Sequence, residues 1–229
     1  MTPETQKISI PVDGSVSVSA LVQAPADPTA CYVFAHGAGA GMAHPFMGAV
    51  SDGLAARRIA TLRYQFPYME LGSKRPDSPR VAHAAVRAAA ARASEMFGAL
   101  PLFAGGKSFG GRMTSQAQAL APLPGVAGLV FLGFPLHPAG VPSTDRAAHL
   151  FDVQLPMLFI QGTEDKLAEL CRIRSVVEEL GDRGSLMEVA YADHSFHVPR
   201  RSGRDDGEVM EEVIDGMAIW MQAWHLAMP

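Results

Sequence analysis

Ser108, Asp165 and His194 are the residues in this sequence whose types and order could do chemistry together. Ser108 stands inside Gly106-Lys107-Ser108-Phe109-Gly110, a G-x-S-x-G spacing that holds a serine on a strand-to-helix turn so sharp that its hydroxyl clears the sheet. The turn presses together the residues two before and two after the serine. A Cβ at 106 or 110 would therefore collide with neighbouring backbone. Ser108 itself is expected at positive φ, the strain that marks functional sites.

A serine hydroxyl is almost wholly protonated at neutral pH, so a neutral imidazole must take its proton during attack and return it to the leaving group. A carboxylate then fixes the imidazole tautomer and favours its charged form. Ser108 reads as the nucleophile, His194 as the base and Asp165 as the orienting acid. Asp165 has a second reading as the N-cap of a helix starting near Leu167, and Glu164 is the rival acid. Asp193 is disfavoured because adjacent side chains on an extended segment diverge. His197 is the rival base. His36, His44, His83, His137 and His149 read as packing or surface histidines. Backbone N–H groups of Ala38, in His36-Gly37-Ala38-Gly39, and of Phe109 are placed to face a developing oxyanion.

Gly106-Lys107-Ser108 is also how a phosphate-binding P-loop ends. That motif needs a glycine five residues before Gly106, and the residue there is Pro101. Leu102-Phe103-Ala104 has the character of strand interior, not of an open cradle of N–H groups. A P-loop nucleotide binder is accordingly the weakest of the functional readings.

These residues need a scaffold, and the sequence patterning supplies one. Lys7 to Val12 and Val16 to Ala24, joined by Asp13-Gly14, read as a β-hairpin at a sheet edge. Cys31 to Ala35 is a continuous apolar run, as expected of a strand covered on both faces. The chain then alternates: helix Pro45 to Arg57, strand Ile59 to Tyr64, helix Asp77 to Phe97, strand Leu102 to Gly105, and the helix after Ser108. Strand Val126 to Leu132, strand Met157 to Gln161, helix Leu167 to Leu180, strand Leu186 to Tyr191 and helix Glu208 to His225 complete it. Such βαβ alternation predicts an α/β fold with a doubly wound, mostly parallel sheet and an antiparallel N-terminal hairpin. In these sheets ligands sit beyond the carboxyl ends of the strands. Ser108, Asp165 and His194 each follow a different strand, in the chain order Ser, Asp, His.

The 229 residues, 48% hydrophobic and 18% charged, suit one soluble domain over 1–229. A net charge of −4 gives no electrostatic case for nucleic acid or an acidic membrane as partner. The polar start from Met1 to Lys7 lacks an apolar core, so no signal peptide is expected. Met113 to Thr144 carries no Asp, Glu, Lys or Arg, but its five prolines break it into pieces too short to span a bilayer. Cys31 and Cys171 read as unpaired thiols, which fits a reducing cytoplasm. No cofactor and no metal are expected. The expected partner is a small-molecule substrate, and the sequence leaves a homo-oligomer open.

The chain resembles the α/β-hydrolase superfamily, and within it the dienelactone-hydrolase-like branch, through His36-Gly37, Gly106-x-Ser108-x-Gly110, Gly162-x-x-Asp165 and Asp193-His194. It is similar over nearly its whole length to the group around testis-expressed protein 30, through Arg63 to Glu70, Gly105 to Arg112, Phe134 to Pro138, Arg146 to Leu150 and Gln161-Gly162-Thr163-x-Asp165. The resemblance implies a hydrolase fold with Ser108, Asp165 and His194 on the triad positions. Dienelactone hydrolases use a cysteine nucleophile, and Ser108 departs from that. Some relatives serve as scaffolds in protein complexes, so a non-catalytic scaffold is the alternative to a carboxylesterase-like serine hydrolase.

No long insertion separates Leu132 from Met157, where many lipases of this fold carry a lid; one short helix near Thr144 to Leu150 is expected there. The site should be open and suited to a small or medium soluble ester. Phe66, Tyr68, Met69, Phe134 and His137 are the expected substrate-pocket walls. Lys107 either steers an anionic substrate or pairs with a carboxylate.

Overall fold

The computed structural model describes residues 3–14 and 16–227, with side chains described to residue 223. Eight strands form one sheet: β1 (Thr5–Asp13), β2 (Val16–Gln23), β3 (Ala30–Ala35), β4 (Ile59–Tyr64), β5 (Leu102–Lys107), β6 (Val126–Leu132), β7 (Met157–Gly162) and β8 (Gly184–Val189). Their spatial order is β1-β2-β4-β3-β5-β6-β7-β8. β1 and β2 form the antiparallel hairpin, β2 joins β4 antiparallel, and every later pairing is parallel.

Helices cover both faces, and the strand pleat shows why the central strands read as unbroken apolar runs. In β3, Cys31, Val33 and Ala35 enter one core while Tyr32 and Phe34 enter the other. The first core is closed by α3 (Pro79–Phe97), α4 (Phe109–Leu120) and α5 (Leu170–Leu180). The second is closed by α1 (Pro45–Ala56) and α6 (Asp206–Ala227). Successive side chains point to opposite faces, so a strand buried on both sides cannot alternate polar with apolar. The alanine-rich run of α3 has a matching cause: Ala82, Ala85, Ala89 and Ala93 form its buried stripe, and their small side chains let the helix lie close to the sheet.

Several boundaries depart from the sequence reading for local reasons. α5 begins at Leu170 and not near Leu167, because Asp165 Oδ1 accepts from Leu167 N at 2.8 Å and bends the chain into a separate turn. β8 ends at Val189, two residues early, where a turn brings Tyr191 to φ 61°. α3 starts at Pro79, since the Asp77 carboxylate accepts from Tyr68 N across the gap. A short helix α2 (Pro67–Glu70) was not anticipated. The expected short helix between β6 and β7 is a 3-10 helix over Asp145–Asp152, and no lid stands over the strand ends among the described residues. Both cysteines are free thiols, Cys31 buried and Cys171 exposed. Among the described residues no helix is long and apolar enough to cross a membrane.

Candidate active site

Ser108 forms the junction of β5 and α4 and takes φ 50°, ψ −112°, a left-handed backbone that a residue with a Cβ adopts only under constraint. The constraint comes from β3. A Cβ on Gly106 would lie 2.3 Å from the Ala35 carbonyl oxygen, and one on Gly110 would lie 2.5 Å from the same atom and 2.6 Å from the oxygen of His36. The two glycines let the turn close down onto the carboxyl end of β3, and Ser108 is held at the apex. Ser108 N is fixed in turn by donating to Leu132 O of β6 at 3.1 Å.

A continuous hydrogen-bond chain runs from this apex into the core. The Ser108 hydroxyl lies 2.8 Å from His194 Nε2, and His194 Nδ1 lies 2.7 Å from Asp165 Oδ2. The imidazole is a quarter exposed, whereas the Asp165 side chain is fully buried. A buried carboxylate needs donors on its other lone pairs. Leu167 N supplies one to Oδ1, and the amide of buried Gln161, on β7, supplies another to Oδ2. Gln161 is itself oriented, because its Oε1 accepts from Phe134 N at 3.0 Å. Gln161 stands immediately before Gly162 in the Gln161-Gly162-Thr163-x-Asp165 segment, but nothing in that spacing indicates its partner.

The rival residues point elsewhere. His197 is 64% exposed at its side chain and pairs with Asp206 at 2.8 Å, which raises its pKa. Glu164 pairs with Arg201 at the surface. Asp193 Oδ1 accepts from Ser195 N and His197 N, and so shapes the loop that carries His194. Lys107 pairs with no carboxylate among the described residues. Its Nζ donates to the backbone carbonyl of His194 and lies 5.4 Å from the centroid of the Phe196 ring, while its stem borders the cavity. Burial draws its pKa down to about 8, partly offset by Asp165 and Asp193. With Lys107 held there and residues 102–107 in a strand, the P-loop geometry is not formed.

The loop after β3 is anchored from the segment after β4. His36 Nδ1 donates to Gly37 O at 2.8 Å and its Nε2 accepts from Phe66 N at 3.1 Å, so the ring is neutral, and burial lowers its pKa to about 4. Gly39 N donates to Tyr68 Oη at 3.0 Å, and Met42 N donates to Gln65 Oε1 at 2.8 Å. Ala38 lies between these anchors and borders the cavity beside Ser108. Phe109 opens α4, with its ring packed edge-on against Phe66 and Tyr68.

A cavity of about 380 Å³ opens over Ser108, within the size range of small-ligand sites. Its walls are not those expected. Phe46, Met47 and His44 from the start of α1, Leu167 and Ser195 line it together with Gly37, Ala38, Ala40, Lys107, Ser108 and His194. None of Phe66, Tyr68, Met69, Phe134 and His137 does. Phe66 and Tyr68 are buried beneath the Gly37–Gly41 loop as its support, and Met69 packs toward Gly41 from below. Phe134 joins an aromatic cluster with Phe131 and Phe159. His137 is buried and bonded at Nε2 to Glu169 at 2.7 Å. The strands do end where expected, but these side chains turn down into the core instead of up over the sheet. Among the described residues no group of three or more His, Cys, Asp or Glu side chains is arranged to hold a metal ion.

A family model described as an alpha/beta hydrolase domain matches residues 28–222. Among solved structures, a dienelactone hydrolase from Anabaena variabilis superposes with a TM-score of 0.79 at 21% identity, covering 97% of this chain and 99% of that one. An a/b serine hydrolase without lid from Xanthomonas campestris gives a TM-score of 0.73 at 20% identity, covering 96% of each chain. The esterase domain of a Rhodothermus marinus protein gives 0.72 at 15% identity, covering 95% of this chain and 97% of that one. At these identities the similarity speaks to the fold.

Proposed function

Since the chain belongs to the alpha/beta hydrolase domain family, we propose that it is a serine hydrolase cleaving a carboxylic ester or similar acyl bond of a small to medium substrate. The observation that carries this reading is the unbroken chain from Ser108 Oγ through His194 to buried Asp165. His194 Nε2 takes the Ser108 proton as Oγ attacks the acyl carbon, and Asp165 steadies the imidazolium formed. The tetrahedral oxyanion faces the N–H groups of Phe109 and Ala38. His194 then protonates the leaving alcohol, leaving an acyl group on Ser108. Water, deprotonated by the same ring, attacks that acyl-enzyme and restores the serine.

The substrate-facing surface is apolar where Phe46, Met47 and Leu167 stand, and the cavity volume suits a short acyl chain. We place the protein near the testis-expressed protein 30 group on the segments named above, and in a reducing cytoplasm on its two free thiols. A fluorophosphonate probe tests the function directly. Labelling should occur at Ser108 and vanish in Ser108→Ala, with p-nitrophenyl esters of rising chain length then ranking the acyl preference. An unlabelled, correctly folded protein would instead be the non-catalytic scaffold.

A further inference from the structure

Asp165 shares one of its oxygens between two donors. Oδ2 accepts from His194 Nδ1 at 2.7 Å and from the side-chain amide of Gln161 at 2.5 Å, while Oδ1 accepts from Leu167 N at 2.8 Å. Gln161 is wholly buried on β7, four residues before the aspartate. Its orientation is settled by its neighbours. Phe134 N needs an acceptor and the carboxylate needs a donor, so Oε1 faces the first and Nε2 the second. Turning the amide over would leave both partners unsatisfied in a buried place.

A hydrogen bond given to a carboxylate oxygen engages part of its negative charge, so a second donor on the same oxygen meets a weaker attraction. Bonds donated to the ionised form also favour that form. Gln161 thus acts on Asp165 in two ways: it holds the buried carboxylate ionised, and it engages part of the charge that His194 would otherwise meet alone. That same charge stabilises the imidazolium formed during attack. Less of it makes His194 a weaker base, and a base that is too strong keeps the proton it must return to the leaving group.

The charged groups around His194 act differently. Lys107 meets its backbone carbonyl, and Asp193 accepts from the amides of its own loop. Across a second cavity that His194 borders, Glu164 is paired with Arg201 and His197 with Asp206, and Lys166 is exposed beside them. Gln161 carries no charge, so exchanging it for another neutral side chain removes a hydrogen bond and leaves those charges as they were. We infer that Gln161 is a positioning residue that sets the base strength of His194 through the oxygen the two side chains share. This rests on the serine hydrolase reading and adds to it a determinant of the pH at which the enzyme works.

Gln161→Met removes the donor at similar length and unchanged charge. With p-nitrophenyl butyrate, the acid limb of kcat/KM should move up by about half a unit to one unit of pH, and the plateau should fall about tenfold as the carboxylate loses alignment. Gln118→Met is the control, at a buried glutamine of α4 that accepts from Leu123 N; it should cost stability and leave the limb in place. An unmoved limb in Gln161→Met, with only stability or the plateau lowered, would reduce Gln161 to packing and overturn the inference. Where the methionine variant does not fold, the wild type carries the test. In protein labelled with 15N-glutamine, the side-chain amide protons of Gln161 should shift as the His194 ring titrates, with the same midpoint, because both donors bind one oxygen. Amide protons that ignore this titration would overturn the inference as well. The hydrolase reading fails separately, by absence of fluorophosphonate labelling at Ser108, and the NMR titration reads the shared oxygen with or without turnover.

Discussion

Lys107 and His194 are joined by a hydrogen bond from the lysine ammonium to the backbone carbonyl of the histidine, across 87 residues of sequence. The residue immediately before the nucleophile thus fixes the height of the ring that would activate it.

Lys107→Met should lower kcat about ten- to a hundredfold with a smaller change in KM, because the imidazole loses its support while the cavity walls remain. The rate of fluorophosphonate labelling should fall in parallel. The variant should also alter the pH dependence of stability. The folded lysine gives up its proton near 8, against 10.5 for an unperturbed lysine, because burial disfavours the charge. Between those values the unfolded chain binds the extra proton, so stability rises with pH across that window and the desolvation cost is fully present below it. Chemical unfolding at pH 8 and pH 10 should show that rise in the wild type and not in Lys107→Met.

The two histidines of the Asp193–His197 loop should separate cleanly. His194→Ala is expected to abolish acylation, whereas His197→Ala should lower kcat/KM by tenfold or less, since His197 is engaged with Asp206 at the surface. Pre-steady-state release of p-nitrophenol measures both, and the reverse order would falsify the assignment of His194 as base.

Gly110→Ala tests the tight turn. The added methyl would meet two backbone oxygens of β3 and its loop at 2.5 and 2.6 Å, and backbone cannot move aside as a flexible side chain can. A loss of roughly 1–3 kcal/mol in urea unfolding, or failure to fold, is expected. Gly140→Ala, at an exposed left-handed position with open space around it, should cost less. Equal stability of Gly110→Ala and the wild type would mean the crossing is looser than described.

Acid should loosen the protein through His36. Its folded pKa of about 4 lies below the ordinary 6.5 because the ring is buried. The unfolded chain therefore takes up a proton first as pH falls. The contribution is complete above about 6.5, declines through the window, and is gone below about 4; its full size is about 3 kcal/mol. His149 acts in the same direction. Unfolding free energies at pH 7 and pH 5 should differ, and His36→Gln should flatten the slope by one proton.

The strand order along the chain and the serine turn were legible because both are written in local patterns: unbroken apolar runs, and glycines at fixed distances from Ser108. The pairing of Ser108 with His194 and Asp165 followed from their places after three strands of one parallel sheet, β5, β7 and β8. What escaped the sequence was the direction of side chains in irregular segments. Phe66 and Phe134 come just beyond strands, as residues bordering a site would, yet each descends into a core; Phe46 and Met47 look like the start of an ordinary amphipathic helix and instead border the cavity. Lys107 escaped for another reason. Its acceptor is a main-chain carbonyl, and any residue could have supplied it.

The short connection between β6 and β7 has a bearing on what happens after acylation. With no lid among the described residues, an acyl group formed on Ser108 would be within reach of solvent through the mouth of the cavity. Water would then compete with any added alcohol at its full concentration, and transfer of the acyl group to a sugar or glycerol hydroxyl would depend on how much acceptor is added, not on an acceptor pocket. Breakdown of the intermediate should thus run to free acid, and added methanol should divert product only in proportion to its share of the solvent.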